Sequence, residues 1–339
     1  MDSIENKIRK SDFFVIAEVG LNHDGSLGNA LLLIKEAKKS GVDAIKFQLH
    51  INEEERTKDD PTPPYFKYEN RGEYYERTTF SIEEWKKLKT ICNELEIYFI
   101  VSPFSHKAVD ILEEIGLDAY KIASGETTNL PLLEYINSKN RPILLSTGMS
   151  NWEEISNAVN LLKDNLIVVF QCSSQYPCQA ENIGFNVITE IKERFKGTTI
   201  GFSDHTLENH SSVVAFLSGA KVFEKHFTLS KNLYSPDAWF SLNPKELQNY
   251  VKGIEFIANA LKNPVNKDDI EIYKEMKFRY EKSIVAAKDL KEGHVLEYED
   301  LAFKKPGNGI RADNYKEIIG KRLQKNILKD EQIHYNNLN

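Results

Sequence analysis

From residue 13 to about residue 262, short apolar and β-branched runs alternate with stretches whose apolar positions recur at helical spacing. The runs predict strands over 14–19, 43–49, 98–102, 119–124, 143–147, 166–172, 199–203 and 221–227. The stretches between them predict helices, among them 29–39, 82–95, 152–163 and 245–261, most opening after a Ser, Asn or Pro suited to a helix start. Eight strand–helix pairs over roughly 250 residues fit a closed (β/α)8 barrel, the TIM barrel of the α/β class, whose active site lies at the C-terminal strand ends. A doubly wound sheet, the alternative, would need no eighth strand.

The alternation stops near residue 262. Residues 263–280 are charged and irregular, as a linker is, and SIVAAKDLKEGHVLEYEDLAFKKPGNGI then reads as short strands and turns of a small second domain. The expected organisation is therefore a catalytic barrel over 1–262, a linker over 263–280 and a small domain over 281–339. Within the barrel, residues 52–79 form an unusually long connection after the second strand, and connections of that length are more often functional than decorative.

Composition narrows the possible partners. Lys and Arg number 44 against 51 Asp and Glu, a net charge of −7, which argues against nucleic acid or an anionic membrane as the main partner. No run approaches the roughly 18 apolar residues of a membrane span, and MDSIENKIRKSD lacks a signal peptide's apolar core, so the expected location is the cytoplasm. Cys92, Cys172 and Cys178 have neither CxxC nor Cys/His spacing and are read as free thiols.

Polar residues gather at the predicted strand ends. At period two, Lys46, Gln48 and His50 share one face, Ser203 and His205 another, and Glu224 and His226 a third, while Glu18, Lys121 and Ser124 close their own strands. His205 and His226 end consecutive strands, so their imidazoles could meet at one divalent ion acting as a Lewis acid, with water and substrate completing the shell. Mn2+ is expected over Mg2+, because imidazole is a poor ligand for Mg2+; Co2+ is a further candidate. Lys46 and Lys121 supply two cations for a phosphate and a carboxylate, with Ser102, Ser124, Ser146 and the backbone near Gly148 as further donors. Lys121 could instead form a Schiff base with a carbonyl substrate, as in a class I aldolase. A non-catalytic carbohydrate-binding barrel is the other rival, but such a module has no need of His205, His226, Lys46 and Lys121 together.

The segments IAEVGLNHDGSL, IKFQLH, SPFS, AYKIASGE, LLSTGM, IGFSDHT, FEKHFTL and PDAWFSLNP resemble, in order and spacing, the sialic acid synthase family. SIVAAKDLKEG, KKPGNGI and IIGKRL resemble that family's antifreeze-like (SAF) domain. The resemblance implies condensation of phosphoenolpyruvate with an N-acetylated amino sugar and water, giving a nine-carbon 2-keto acid and phosphate. It implies His205 and His226 as metal ligands, and Lys46, Lys121, Ser124, Ser146 and Ser203 around phosphoenolpyruvate. Glu18 and Glu126 would stand near the reacting carbonyl, with Tyr176 and Asp237 lining the sugar pocket. The stretches PPYF and ERT in 52–79 look more like the legionaminic acid branch, whose acceptor is 2,4-diacetamido-2,4,6-trideoxy-mannose. Tyr65, Phe66 and Tyr74 are candidates to meet its methyl group. N-acetylmannosamine and the pseudaminic acid precursor are the alternative acceptors. The resemblance further implies a homodimer in which the small domain of one chain covers the other chain's barrel mouth, with Lys304, Lys305 or Arg311 reaching the bound sugar.

Overall fold

The computed structural model describes every residue except Met1, Pro64, Tyr65, Lys67 and Tyr68. It divides into two compact units, Met1–Lys262 and Asn263–Asn339, each described by itself. In the first, eight parallel strands close into a barrel in chain order: β1 (Phe14–Gly20), β2 (Ala44–Leu49), β3 (Tyr98–Pro103), β4 (Ala119–Ile122), β5 (Ile143–Ser146), β6 (Leu166–Cys172), β7 (Thr199–Asp204) and β8 (Val222–His226). Every expected strand is present, with ends shifted by one or two residues. The fourth is shorter than expected because Ser124–Glu126 leaves the strand as a 3-10 turn.

The strands are buried on both faces, which is why they read as near-continuous apolar runs. Alternate residues divide between two cores. Val15, Ala17, Ile45, Phe47, Phe99 and Val101 pack outward beneath the helices. Phe14, Ile16, Ala44, Ile100, Leu144, Val168, Phe170 and Val222 fill the barrel's lower interior. Ile4 and Ile8 of an N-terminal helix, Ile4–Lys10, join that interior cluster. Gly201 belongs to the same layer, since a Cβ there would lie 2.4 Å from the Phe170 ring.

Two steps further along each strand the same inward row turns polar: Glu18, Lys46, Ser102, Lys121, Ser146, Cys172, Ser203 and Glu224. The sheet register sets their heights. Glu18 pairs with both Lys46 and His226, and Ser203 with Glu224, so side chains far apart in sequence share one layer at the barrel's C-terminal end.

The 52–79 connection is not a loop throughout. It contains the short helices Asn52–Glu55 and Arg71–Thr78, the second capped by the Asn70 side chain on Glu73 N–H. In the second unit, β9 (Ser283–Ala286) and β10 (Leu301–Lys304) pair antiparallel over a core of Ile284, Leu296, Ile318, Ile327 and Ile333. Residues 263–280, expected as a linker, fall in this unit and include a helix, Lys274–Tyr280, whose Phe278 carbonyl accepts the Gly307 N–H. Its charged face reads as irregular because the seven-residue helix buries no side chain.

Candidate active site

Glu224 stands at the centre of the polar layer. Its Oε1 accepts from Lys121 Nζ at 3.2 Å and from Ser203 Oγ at 3.1 Å, and Lys46 Nζ lies 3.7 Å away. Lys46 also meets Glu18 Oε2 at 2.9 Å, and Lys121 donates to Ser146 Oγ at 2.7 Å. All of these groups are buried. Burial works to lower both lysines. For Lys46 the carboxylates of Glu18 and Glu224 more than offset it and raise the ammonium, whereas Lys121, which also faces Lys46, stays below its usual range. Burial likewise works against the Glu224 carboxylate, but Lys121 and Lys46 hold it well below the ordinary value. Glu18 has no such surplus, and burial with Glu224 nearby raises it. Lys46 and Lys121, expected to supply cations for a phosphate and a carboxylate, are each paired with a carboxylate that a bound anion would displace or share. Glu224, one of these carboxylates, had been placed on the right face without a role.

Beside this cluster several hydroxyls gather. Ser124 Oγ accepts the Gly148 N–H at 3.1 Å and lies 3.5 Å from Cys172 Sγ. A Cβ on Gly148 would meet Ser174 Oγ at 2.4 Å and Ser124 Oγ at 2.7 Å, so only glycine lets this backbone pack so closely against the two hydroxyls. Ser102 and Ser174 keep buried hydroxyl oxygens without a hydrogen-bond partner, donors still to be used. Two buried ammonium groups with hydroxyls nearby suit a small, multiply charged oxyanion. Sequence reasoning missed Ser174 and Cys172, although Cys172 occupies an inward position at the end of β6; the three cysteines are free thiols.

The two histidines close the layer on the β7–β8 side, their ring centroids 5.5 Å apart. His205 Nδ1 bonds the Ser173 carbonyl at 2.8 Å, which leaves Nε2 facing the interior, 3.4 Å from Ser203 Oγ. Burial would lower His205, but Cys172 and Ser173 raise it. His226 is pushed well below its usual value by burial and by His205, so its ring is neutral, and its buried Nδ1 has no hydrogen-bond partner. Asp237 Oδ2 lies 3.9 Å from that nitrogen. No group of three or more His, Cys, Asp or Glu side chains is disposed to hold a metal ion among the described residues. The donor set is thus two imidazoles, one with an orphaned nitrogen, and it fits an ion whose remaining positions belong to water and substrate.

Above His226 opens a cavity of about 230 Å³. Gln48, His226 and Asp237 form its polar side, and Phe66, Tyr75, Tyr176, Trp239 and Phe240 its aromatic side. Burial and the neighbouring Glu18 push the Asp237 carboxyl up to about 7. Tyr176 packs on His205 with centroids 4.2 Å apart, as expected of a residue lining this pocket. Tyr74 does not line it. Its side chain is buried and its hydroxyl donates to the Leu21 carbonyl at 3.3 Å, while the next residue, Tyr75, faces the cavity. Neighbours on a helix point about 100° apart, so a one-residue choice along Arg71–Thr78 changes the face. Tyr65 lies outside the described residues.

Glu126 is not joined to the Glu18–Glu224 cluster by a hydrogen bond or ion pair. It accepts from Asn129 Nδ2 at 2.7 Å, and burial raises its carboxyl. Lys305 and Arg311 belong to the second unit, Lys305 lying over the Tyr280 ring at 4.8 Å and Arg311 paired with Asp313 at 2.7 Å.

Known proteins share this arrangement of chain and domains. The NeuB family model matches residues 33–266 and the SAF domain model residues 281–339. The chain is 37% identical to the N,N'-diacetyllegionaminic acid synthase of Campylobacter jejuni, the match covering 94% of this chain and 98% of that protein. Its identity to the protein of the same name from Legionella pneumophila is 32%, over 93% of this chain and 91% of that one. Among solved structures, the N-acetylneuraminic acid synthetase of Leptospira borgpetersenii superposes with a TM-score of 0.68 at 30% identity, over 78% of this chain and 91% of that one. With the family model matched over most of the barrel and the SAF model over the terminal domain, the chain belongs to the NeuB family of sialic acid-type synthases and ends in a SAF domain.

Proposed function

We propose that this protein condenses phosphoenolpyruvate with 2,4-diacetamido-2,4,6-trideoxy-mannose and water, giving a nine-carbon legionaminic-type 2-keto acid and phosphate. One observation carries the reading: the buried cluster of Lys46, Lys121, Ser146, Ser203 and Glu224 reaches through Glu18 and Gln48 to a cavity with an aromatic wall that His226 also lines. Phosphoenolpyruvate would place its charged groups on the two lysines and the nearby hydroxyls. Its C3 would then face the acceptor aldehyde, an orientation effect that can be worth about 7–11 kcal/mol of the activation barrier. A divalent ion on His205 and His226, Mn2+ by preference, would supply Lewis-acid polarisation of that aldehyde oxygen. Glu18, raised by burial and hydrogen-bonded by Gln48, can hold a proton at the sugar end of the layer. Attack of C3 forms the new C–C bond, water adds at C2, and the C2–O bond to phosphate breaks.

The choice of acceptor rests on the aromatic side of the cavity. Phe66 and Tyr75 come from the 52–79 connection and give a C6 methyl group an apolar neighbour. No helix is long and apolar enough to cross a membrane among the described residues, and a reaction consuming phosphoenolpyruvate belongs in the cytoplasm. Phosphate release from phosphoenolpyruvate decides the matter, measured with the trideoxy sugar, with N-acetylmannosamine and with no sugar, each with and without EDTA. Sugar-dependent, EDTA-sensitive release with the trideoxy sugar preferred is the expected result. Preference for N-acetylmannosamine would move the assignment to N-acetylneuraminate synthesis, and trapping of the protein by borohydride with pyruvate would replace the mechanism by a Schiff base on lysine.

A further inference from the structure

His50, the residue that follows β2, has no part in the chemistry so far, yet every edge and face of its buried ring is engaged. Tyr75 stacks on one face, with centroids 4.0 Å apart and planes at 15°, and Phe104 on the other, at 4.1 Å and 14°. Nδ1 lies 2.7 Å from Glu55 Oε2 and Nε2 3.1 Å from Gln48 Oε1. A carboxylate and an amide oxygen only accept hydrogen bonds, so the ring satisfies both contacts when each nitrogen carries a proton.

Beyond His50 the contacts continue into the site. Gln48 Nε2 donates to Glu18 Oε1 at 2.8 Å, and Glu18 Oε2 meets Lys46 at 2.9 Å. The Gln48 amide is therefore held at both ends, its oxygen by His50 and its NH2 group on Glu18. Glu55 is fixed in turn, its second oxygen accepting the Ile51 N–H at 2.6 Å. Tyr75 and Glu55 both come from the 52–79 connection, and Tyr75 and Gln48 both line the cavity.

We propose that His50 is a positioning residue: clamped by Tyr75, Phe104 and Glu55, it fixes the Gln48 amide on Glu18, so that the 52–79 connection sets the geometry at the sugar end of the site. This rests on the proposed condensation for its kinetic readout only.

Chemical rescue tests it. His50→Gly opens a ring-sized slot between Tyr75 and Phe104, with Glu55 and Gln48 at its edges. Imidazole can fill the slot and make both contacts, whereas pyrrole has the same size and a single N–H. In His50→Gly, kcat should fall at least about tenfold while the KM for phosphoenolpyruvate stays within about twofold. Imidazole, with the wild type in the same buffer as reference, should restore most of that loss and pyrrole should not. Crystal structures should show the Gln48 amide turned from Glu18 in the variant and returned to it with imidazole bound. His50→Phe keeps the stack without the two polar contacts and should be as slow as His50→Gly; if the glycine variant does not fold, the phenylalanine variant carries the test by kinetics and crystal structure. The proposal is overturned by a folded variant with kcat within about twofold of wild type, by equal rescue with pyrrole, or by Gln48 still on Glu18 in the variant structures. If the wild type releases no phosphate, the proposed condensation falls and the crystallographic position of Gln48 alone decides the role of His50.

Discussion

Single residues set the charge of the layer in which chemistry is proposed. Glu224 touches Lys121 and Ser203 and lies near Lys46, so one carboxylate tunes two cations. His205→Ala or His226→Ala should abolish turnover with the fold intact, since each removes one of only two imidazoles; full activity of either variant, with unchanged circular dichroism, would sink the metal assignment. His23 bears on stability instead. It is buried against Phe80, with centroids 4.5 Å apart, and burial pushes its pKa from 6.5 to about 3. The unfolded chain therefore takes up a proton that the folded chain refuses, and stability is lost as the pH falls from 6.5 towards about 3. Urea denaturation near pH 6.5 and pH 5 should show a loss of up to about 2 kcal/mol that His23→Gln lacks. At this scale the strand-end residues were legible from period two alone. The pairing of Lys46 and Lys121 with Glu224 was not, because those contacts cross the barrel.

Among the elements, β7 and β8 carry the histidines inward and a buried ion pair outward. Lys225 Nζ meets Asp204 Oδ2 at 2.9 Å and donates to the Thr206 carbonyl at 2.6 Å, and Ser211 Oγ donates to Asp204 at 2.6 Å. Lys225→Met leaves a buried carboxylate without its cation and should cost about 3–5 kcal/mol in denaturant titrations, while the double variant Asp204→Asn with Lys225→Met should cost clearly less. Equal losses would show that the pair is not coupled. The helix Arg71–Thr78 acts on specificity. Tyr75→Ala should lower kcat/KM for the trideoxy sugar relative to N-acetylmannosamine by the equivalent of about 1–3 kcal/mol, and an unchanged ratio would remove Tyr75 as the methyl's neighbour. The long 52–79 connection stood out by its length, but which of its aromatics faces the cavity depended on the phase of a short helix.

At the scale of the whole molecule, the expected state is a homodimer with exchanged terminal domains, a reading the sequence resemblance supports. Two inactive parents test it: full-length His226→Ala, and a wild-type barrel truncated after Lys262. Activity appearing on mixing would show that one chain's terminal domain serves the other's barrel, and a mixture shown to contain heterodimer yet still inactive would refute it. The sequence by itself determined the barrel, its eight strands, the second domain and most of the polar residues at the strand ends. These follow from local rules: side-chain period, helix-start chemistry and a break in the alternation are written in consecutive residues. Only the tertiary structure decided that the two lysines are paired with carboxylates, that Gly148 packs against the hydroxyls of Ser124 and Ser174, that Tyr75 rather than Tyr74 reaches the cavity, and that His50 sits in an aromatic clamp tied to Glu18. Those are contacts between strands and connections distant in sequence, fixed by the closure and register of the barrel, and nothing in the local pattern encodes them.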